Sequence, residues 1–204
     1  MDMVCIVLVG CDGAGKTTLA KLLASYLARY GSSRIHWLRG SHLLASLLLR
    51  FLSFFTVFHG SCNPYYRVCI SGALKGLWIH VEFWSVMLYI LLRMFLTRFY
   101  KFLVYDRGVV NFIVWVVSTL SYLNFLFSLY GRPLLRLAMR ENMVYLYADR
   151  RVLAERADAP KEFVYREYAV YSVLMRYLAR CWIDIDKFRL VEAAARVLKC
   201  LGPA

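Results

Sequence analysis

The sequence predicts an α/β fold, in which helices cover both faces of a five-stranded parallel sheet in a three-layer sandwich. Five short apolar segments alternate with longer segments of helical periodicity along the 204 residues, and this alternation is typical of parallel sheets. A glycine-rich loop directly follows the first apolar segment. The sequence shows no repeat, no low-complexity segment and no flexible linker, so we expect one domain over residues 1–204.

The first strand is predicted at residues 3–9, an unbroken apolar run typical of a strand that is buried on both faces. Residues 10–18 read GCDGAGKTT and satisfy the pattern G-x-x-x-x-G-K-[ST] in full. An amphipathic helix is expected at residues 18–30. A strand, a glycine loop and a helix in this order bind the phosphates of a nucleoside triphosphate. The expected architecture is therefore the P-loop NTPase form of the sandwich.

Each part of this loop has an expected role. The glycines let the backbone adopt positive φ and approach phosphate oxygens closely, and the N–H groups of the loop and of the first helical turn point at the anion. Lys16 is expected to reach the β- and γ-phosphates, and the Thr17 hydroxyl to bind Mg²⁺. The residues predicted to contact the nucleotide are Gly10, Asp12, Gly13, Ala14, Gly15, Lys16, Thr17 and Thr18.

The remaining elements are predicted from hydrophobic periodicity and from turn residues. Further strands are expected at residues 34–38, 102–105, 143–148 and 182–185. Helices are expected after Pro160 and at residues 41–57, 76–100, 109–129, 134–139, 149–157 and 190–201. Ser41 is the expected N-cap of the helix at residues 41–57. Residues 59–67 are rich in turn residues and are expected to form a loop.

Charged residues follow four of the five predicted strands, at the edge where parallel sheets bind ligands. Arg39 follows the second strand and is a candidate acceptor-binding residue. Asp106 and Arg107 follow the third strand. Asp106 is expected to hold Mg²⁺ together with Thr17, with a helix N-cap as the alternative. Arg107 is expected to clamp a phosphate, with a surface ion pair as the alternative.

A lid is predicted at about residues 149–162, where a helix, a proline and a second helix follow the fourth strand. Its arginines would neutralise the charge of a phosphoryl group in transfer. The alternative for each of them is a solvated helix face. The lid arginines are Arg150, Arg151 and Arg156. Together with Lys16, Asp106 and Arg107, they are the predicted catalytic residues.

The composition of the chain bears on its binding partners and on its cellular compartment. The net charge of +13 attracts nucleotides, acidic lipids and RNA alike. The arginines are scattered and no nucleic-acid module is present, so no specific nucleic-acid binding is expected. The six cysteines have no paired spacing and no C-x-x-C motif, which favours a reducing, cytoplasmic compartment. No N-terminal signal is expected, because the first apolar run leads directly into the glycine loop.

The middle of the chain is unusually apolar. Residues 109–130 contain no charged residue over 22 positions, which is long enough to cross a bilayer. Residues 43–59 and 77–104 are strongly apolar as well. Because the uncharged segment begins directly after the candidate site residues, a buried or dimer-forming helix is favoured over a membrane span. We expect a homodimer through the apolar helices and leave peripheral membrane contact open.

The glycine loop, the Asp-Arg pair after the third strand and the arginine-bearing lid resemble the thymidylate kinase family of P-loop kinases. The resemblance implies the strand order 2-3-1-4-5, a homodimer, and Mg²⁺-dependent transfer of phosphate from ATP to thymidine monophosphate (dTMP). It also implies that Asp12 contacts the acceptor sugar and that Arg107 lies near the acceptor phosphate. Arg39 stands where the family has an arginine near the acceptor.

The chain departs from the family on the acceptor side. Gly108 takes the third position of the family's Asp-Arg-Tyr-type motif, and Gly40-Ser41 replaces the Glu-Pro that the family has after the arginine. Phe83 is the residue expected to stack on an acceptor base. Three functions stay open: a nucleoside monophosphate kinase with dTMP as the favoured acceptor, a P-loop kinase that acts on an alcohol such as a nucleoside, sugar or lipid-like molecule, and a non-catalytic ATP-binding module.

Overall fold

The computed structural model describes residues 4–38 and 41–201. Its strands in chain order are β1 (Val4–Val9), β2 (Ser33–Trp37), β3 (His59–Asn63), β4 (Phe102–Asp106), β5 (Met143–Tyr147) and β6 (Cys181–Asp184). All of them except β3 join in one parallel sheet of five strands, in the order β2-β4-β1-β5-β6. The predicted five-stranded parallel sheet is confirmed. Its numbering differs from the predicted 2-3-1-4-5 because β3, which was expected to be a loop, adds a strand outside the sheet.

The centre of the sheet is the core of the protein, because its strands are almost entirely apolar. The last four residues of β1 and all five residues of β4 are buried. The parallel register places Leu8 beside Asp106, and Val9 beside Tyr145. The glycine loop after β1 and the charged residues after β4 therefore begin at the same edge of the sheet.

The α-helices of the described residues form two groups around this sheet. They are α1 (Lys16–Leu27), α2 (Leu43–Leu52), α3 (Lys75–Leu96), α4 (Val109–Leu120), α5 (Gly131–Ala138), α6 (Arg150–Arg156), α7 (Lys161–Leu178) and α8 (Leu190–Leu201). Helix α1 packs on β2 and β4 and against α8, whereas α4 packs against α3, α5 and α7. The predicted bounds of α8 are those observed, and α1, α5 and α6 lie within about three residues of theirs.

Helix α2 differs from its prediction at both ends. His42 rather than Ser41 precedes its first residue, and it ends at Leu52, before a short 3-10 turn at Thr56–Phe58. The hydroxyl of Ser41 instead donates to Oε1 of Glu82 on α3, at 2.5 Å, and accepts from the indole N–H of Trp115. Ser41 is therefore a buried bridge between α3 and α4 rather than a helix cap.

The first part of the uncharged segment at residues 109–130 forms the core helix α4 (Val109–Leu120), in which every residue is buried. The helix ends at Leu120, before the predicted end at residue 129; Ser121 follows with φ of +48°, and a 3-10 turn lies at Leu123–Phe127. The favoured interpretation as a buried helix is thus confirmed for α4. In the described residues, one segment, Gly72–Phe95, is long and apolar enough to cross a membrane by length and composition alone.

Four of the six cysteines are paired, which corrects the interpretation drawn from their spacing. Cys62 and Cys69 form one disulfide, and Cys181 and Cys200 form another. The first closes the turn that follows β3, and the second ties β6 to α8. Cys5 and Cys11 are thiols. Neither pair has a local motif, because the partners are 7 and 19 residues apart and are brought together by the fold.

Candidate functional site

The glycine loop between β1 and α1 curves around an open space at the edge of the sheet. Gly10, Gly13 and Gly15 have φ of +148°, +84° and +69°, a region that favours glycine. A side chain at Gly10 would overlap the carbonyl oxygen of Leu146, and one at Gly13 would overlap that of Leu153. Nothing lies within 4 Å of the place where a side chain at Gly15 would begin. The loop therefore has the shape and the space that a phosphate group needs.

Lys16 lies at the first position of α1 and is 4% exposed. Its Nζ donates to the carbonyl oxygen of Cys11 at 2.5 Å and lies 3.9 Å from Oδ1 of Asp12. Burial and the nearby guanidinium of Arg107 lower the pKa of Lys16. A buried ammonium gains from anionic partners, so phosphate oxygens in this loop would suit it.

Thr17 and Asp106 form a hydroxyl–carboxylate pair beside the loop. The Thr17 hydroxyl donates to Oδ2 of Asp106 at 2.5 Å. Asp106 is 1% exposed, and its Oδ1 is buried without a hydrogen-bond partner. An orphaned carboxylate oxygen next to a hydroxyl fits a magnesium ion that takes most of its ligands from phosphates and water. The described residues hold no cluster of three or more His, Cys, Asp or Glu that could bind a metal by itself.

Asp12, a variable position of the loop motif, is the centre of a second charged cluster. Its Oδ1 accepts from Nη2 of Arg107 at 2.7 Å, and its Oδ2 accepts from the Tyr65 hydroxyl. Burial by itself raises the pKa of Asp12, but the charges of Lys16 and Arg107 outweigh it and hold the pKa below its usual value. Asp12 is therefore an anchored carboxylate and a weak base.

The backbone of Arg107 is held in an uncommon conformation. Its φ is +85°, in the region that favours glycine, and its N–H donates to the carbonyl oxygen of Leu8 at 3.1 Å. The guanidinium lies 6.0 Å from the centre of the Trp37 ring. Strained backbone of this kind concentrates at functional sites, and here it accompanies a side chain that reaches Asp12.

Glu167 of α7 is buried beneath the loop and is 6% exposed. Its Oε2 accepts the backbone N–H of Asp12 at 3.1 Å. Burial, reinforced by the carboxylate of Asp12, raises the pKa of Glu167 to about 7. The side chain therefore holds a proton part of the time near neutral pH and ties α7 to the glycine loop.

A cleft of about 440 Å³ joins the two clusters. Its lining includes the loop residues with Lys16 and Thr17, and also Tyr65, Arg107 and Trp37. Tyr65 and Arg107 also line a cavity of about 20 Å³, too small for a nucleotide base. Its lining residues are Gly10, Asp12, Leu38, Tyr65, Arg107, Asn111, Trp115, Glu167 and Tyr171.

A separate cavity of about 280 Å³ opens on the other side of the loop, between α1 and the segment after β6. Arg156, Ile185 and Phe188 line it together with Gly13 and Gly15. The cavity combines an apolar floor with a cation beside the phosphate loop. That combination fits the base and ribose of a nucleotide whose phosphates lie in the loop.

Arg156 is the lid arginine that lies at the cleft. It borders both this cavity and the main cleft, and its Nη1 lies 3.3 Å from Oδ1 of Asp186. Arg150 and Arg151 are exposed on the first turn of α6 and line neither space, with the Arg150 guanidinium 5.7 Å from the centre of the Tyr165 ring. The structure therefore brings Arg156 to the cleft and leaves Arg150 and Arg151 on an exposed helix face.

Phe83 does not line the cleft or the small cavity behind it. It packs on α3 against Tyr130 and Trp84, with ring centres 4.7 and 5.5 Å away. The expectation that Phe83 stacks on an acceptor base is therefore not supported. Arg39, the other acceptor residue predicted after the second strand, lies outside the described residues.

Four residues around the Asp12–Arg107 pair escaped the sequence reasoning: Trp37, Tyr65, Trp115 and Glu167. The Tyr65 ring stacks on Trp115 at 5.5 Å between ring centres. Glu167 had a detectable signal, since it shares a helical face with Val164 and Tyr171 and both of those are buried. An acidic residue in the middle of an apolar face indicates a buried polar partner.

Comparison with known proteins finds a likeness in fold alone. No protein-family model matches the sequence, and no curated protein matches it either. The structure resembles thymidylate kinase from Ehrlichia chaffeensis with a TM-score of 0.53 and 16% identity, covering 98% of this chain and all of that one.

Two other kinase structures resemble the chain over similar lengths. Thymidylate kinase from Candida albicans matches with a TM-score of 0.64 and 14% identity, over 97% of this chain and 90% of that one. Shikimate kinase from Acinetobacter baumannii, in complex with shikimate, matches with a TM-score of 0.49 and 16% identity, over 97% and 92%. The chain has the fold of the thymidylate kinases, which its sequence motifs resemble.

Proposed function

We propose that the protein is an ATP-dependent phosphotransferase that phosphorylates a nucleoside monophosphate, with dTMP as the favoured acceptor. The observation that carries the proposal is a single cleft that is lined both by the phosphate-binding loop and by the Asp12–Arg107–Tyr65 cluster. Its lining supplies cations for a donor triphosphate and a further cation, Arg107, for an acceptor phosphate. The fold shared with thymidylate kinases supports the same conclusion.

The residues of the cleft divide the work of such a transfer. The glycine loop and Lys16 hold the donor phosphates, and Thr17 with Asp106 would hold Mg²⁺, which neutralises phosphate charge when it is bound. Arg107 would orient the acceptor phosphate, and Arg156 would contact the donor from the lid side. Alignment of the two substrates and neutralisation of phosphate charge account for most of the catalysis of phosphoryl transfer, because the protein forms no covalent bond to the phosphoryl group.

The state of Asp12 favours a phosphate acceptor over an alcohol. An alcohol must lose its proton to a base, and Asp12 is a weak base because Lys16 and Arg107 hold its pKa low. A monophosphate acceptor is already ionised and requires no base. Asp12 is then not needed as a base: its carboxylate, held by Arg107 and Tyr65, would accept a hydrogen bond from the acceptor sugar while Arg107 binds the acceptor phosphate.

An alcohol acceptor is the second candidate, and one observation favours it. Glu167 lines the small cavity behind the cleft and has a pKa of about 7, which suits a general base near neutral pH. A nucleoside, sugar or lipid-like alcohol that reached this carboxylate could be deprotonated there. A non-catalytic ATP-binding module would instead bind ATP and transfer nothing.

One experiment separates the three functions. Purified protein is incubated with Mg·ATP and a panel of nucleoside monophosphates, nucleosides and polyprenols, and the products are identified by mass spectrometry. The proposal expects a diphosphate product, with dTDP formed fastest, and no product from Lys16→Ala. Lys21→Ala, an exposed lysine on the same helix, is the matched control and should retain activity. Products from alcohols alone would establish the second candidate, and ATP binding without any product would establish the module.

We also propose that the protein is a homodimer through its apolar helices. Leu47 and Phe51 on α2 and Leu88 and Phe95 on α3 are more than half exposed, and exposed apolar faces of this kind mark interaction surfaces. Sedimentation velocity should give the mass of a dimer, and Leu47→Glu with Leu88→Glu should shift it to a monomer. A wild-type monomer that binds lipid vesicles would support peripheral membrane contact instead.

A further inference from the structure

The turn that follows β3 carries Tyr65 to the cleft and is closed by a disulfide. Cys62 and Cys69 lie on either side of the turn, with Cα atoms 5.0 Å apart. Tyr65 lies between them, and its hydroxyl donates to Oδ2 of Asp12 while its ring stacks on Trp115. The bridged turn therefore reaches the phosphate-loop carboxylate in the cleft.

The hairpin formed by residues 59–69 lies outside the central sheet and is held by a small set of local contacts. Backbone N–H groups donate across it from Gly60 to the carbonyl of Arg67 at 2.9 Å, from Arg67 to that of Asn63 at 2.9 Å, and from Cys69 to that of Phe58 at 2.7 Å. Within the turn, Oδ1 of Asn63 accepts from the N–H groups of Tyr65 and Tyr66, and Arg67 has φ of +53°. An isolated two-stranded hairpin is marginally stable in water, so a covalent bridge has a large effect on its order.

The sequence of the hairpin is built to bring its two sides close together. A side chain on Gly60 would overlap Sγ of Cys69, so glycine is required there for the sulfur to pack. The N–H of Cys62 points at the same sulfur, at 3.1 Å. Val68 is 1% exposed and anchors the returning side in the core. The bridge thus joins the anchored side of the hairpin to the side that leads into the Tyr65 turn.

We propose that the Cys62–Cys69 disulfide positions Tyr65, and through it Asp12, for acceptor binding, so that the thiol–disulfide state of this bridge controls acceptor affinity and leaves ATP affinity unchanged. The inference rests on the proposed function, which assigns this part of the cleft to the acceptor. Tyr65 is a positioning residue in this scheme, since it acts on the carboxylate that meets the acceptor. The hairpin reaches the loop through the Asp12 carboxylate, whereas among the described residues the glycines, Lys16 and Thr17 make no hydrogen bond to it. The groups that hold the donor phosphates are therefore expected to keep their positions when the hairpin moves.

Reduction of the bridge is a simple exchange. A dithiol reagent donates two electrons, the sulfur–sulfur bond between Cys62 and Cys69 breaks, and each sulfur takes up one proton to become a thiol. The reagent is oxidised to its cyclic disulfide. The freed hairpin then spends part of its time with Tyr65 away from Asp12, and apparent acceptor affinity falls in proportion to the fraction in the competent position.

The test compares two double variants in the full-length protein. Cys62→Ser with Cys69→Ser removes the hairpin bridge, and Cys181→Ser with Cys200→Ser removes the other bridge, which lies on β6 and α8. Dissociation constants for dTMP and for ATP are measured by calorimetry, and hydrogen exchange is measured over residues 59–69. The Cys181→Ser with Cys200→Ser variant treated with dithiothreitol loses the hairpin bridge as its one remaining disulfide, without a mutation in the hairpin, and Tyr65→Phe tests the hydroxyl alone.

Loss of the hairpin bridge is expected to weaken dTMP binding by about tenfold, which corresponds to a hairpin that is competent about one-tenth of the time. ATP binding stays at the wild-type value, exchange over residues 59–69 rises, and the Cys181–Cys200 variant resembles the wild type in all three measurements. Unchanged exchange and unchanged dTMP affinity, or equal losses for dTMP and ATP, overturn the inference. If no monophosphate binds in any state, the proposed function fails, and hydrogen exchange then decides the positioning role independently.

Discussion

Glu167 determines how the stability of this protein should depend on pH. Its carboxyl group is 6% exposed, and burial, reinforced by the carboxylate of Asp12, raises its pKa from 4.5 to about 7. A carboxyl whose pKa is higher in the folded than in the unfolded chain stabilises the fold in its protonated form. Its contribution is therefore fully present below pH 4.5 and is lost as the pH rises through about 7.

Glu167→Gln removes this titration and keeps the shape of the side chain. The amide oxygen can still accept the N–H of Asp12, which Oε2 accepts at 3.1 Å in the wild type. The pKa of Glu167 rises from 4.5 to about 7 on folding. At about 1.4 kcal/mol for each pKa unit, the charged carboxylate of Glu167 lowers the free energy of unfolding by about 3 kcal/mol above this range, and the variant avoids that loss. In a domain of this size that is a difference of roughly 6–12 °C in Tm.

The assay is the Tm of wild type and variant, measured by calorimetry in steps between about pH 4 and pH 8. The two proteins should unfold at similar temperatures at the acid end, and the variant should become progressively more stable toward the neutral end. Glu82 is also buried with a pKa of about 7, but it titrates in both proteins and cancels in the difference. Glu155→Gln, at an exposed position, is the control. A Tm difference that stays constant across this range would refute the reasoning.

Three further predictions concern the donor site and the second bridge. Lys16→Ala should lower kcat by at least about 10²-fold and abolish ATP binding in calorimetry, because it removes the buried cation of the loop. Asp106→Asn should raise the Mg²⁺ concentration needed for half-maximal activity and leave Tm nearly unchanged; an unchanged Mg²⁺ titration would contradict the metal role. Loss of the Cys181–Cys200 bridge should lower stability by about 3 kcal/mol, measured by urea unfolding, and an unchanged midpoint would show that the bridge contributes nothing.

The elements that sequence reasoning located well are those with a local signature. The apolar run of β1, the glycine loop and the leucine face of α1 each show their pattern within about ten residues, and the structure places them as expected. The burial of α4 was also predictable, because a helix that begins at the candidate site has no room to leave the protein. Asp106 was placed by the same logic, since it ends an apolar strand that pairs with β1.

The errors share a different cause, which is dependence on distant partners. Phe83 was chosen for its aromatic ring, but its direction depends on the packing of α3 against Tyr130. The disulfides depend on which segments the fold brings together. Arg150, Arg151 and Arg156 are alike in sequence, and only their positions along the two turns of α6 decide which of them faces the cleft. The residue types in the sequence indicate which side chains could take part in a site or a disulfide, but not which of them the fold brings together.

The two parts of the cleft differ in how they are encoded, and this explains why the donor is easier to infer than the acceptor. The donor part is one continuous stretch, residues 10–18, so one local motif specifies it. The proposed acceptor site takes Trp37 from β2, Tyr65 from the bridged turn, Arg107 after β4 and Glu167 from α7. Because these residues come from four separate segments, no local motif specifies them. An assay that varies the acceptor at constant ATP is therefore the one that tests the proposed function most directly.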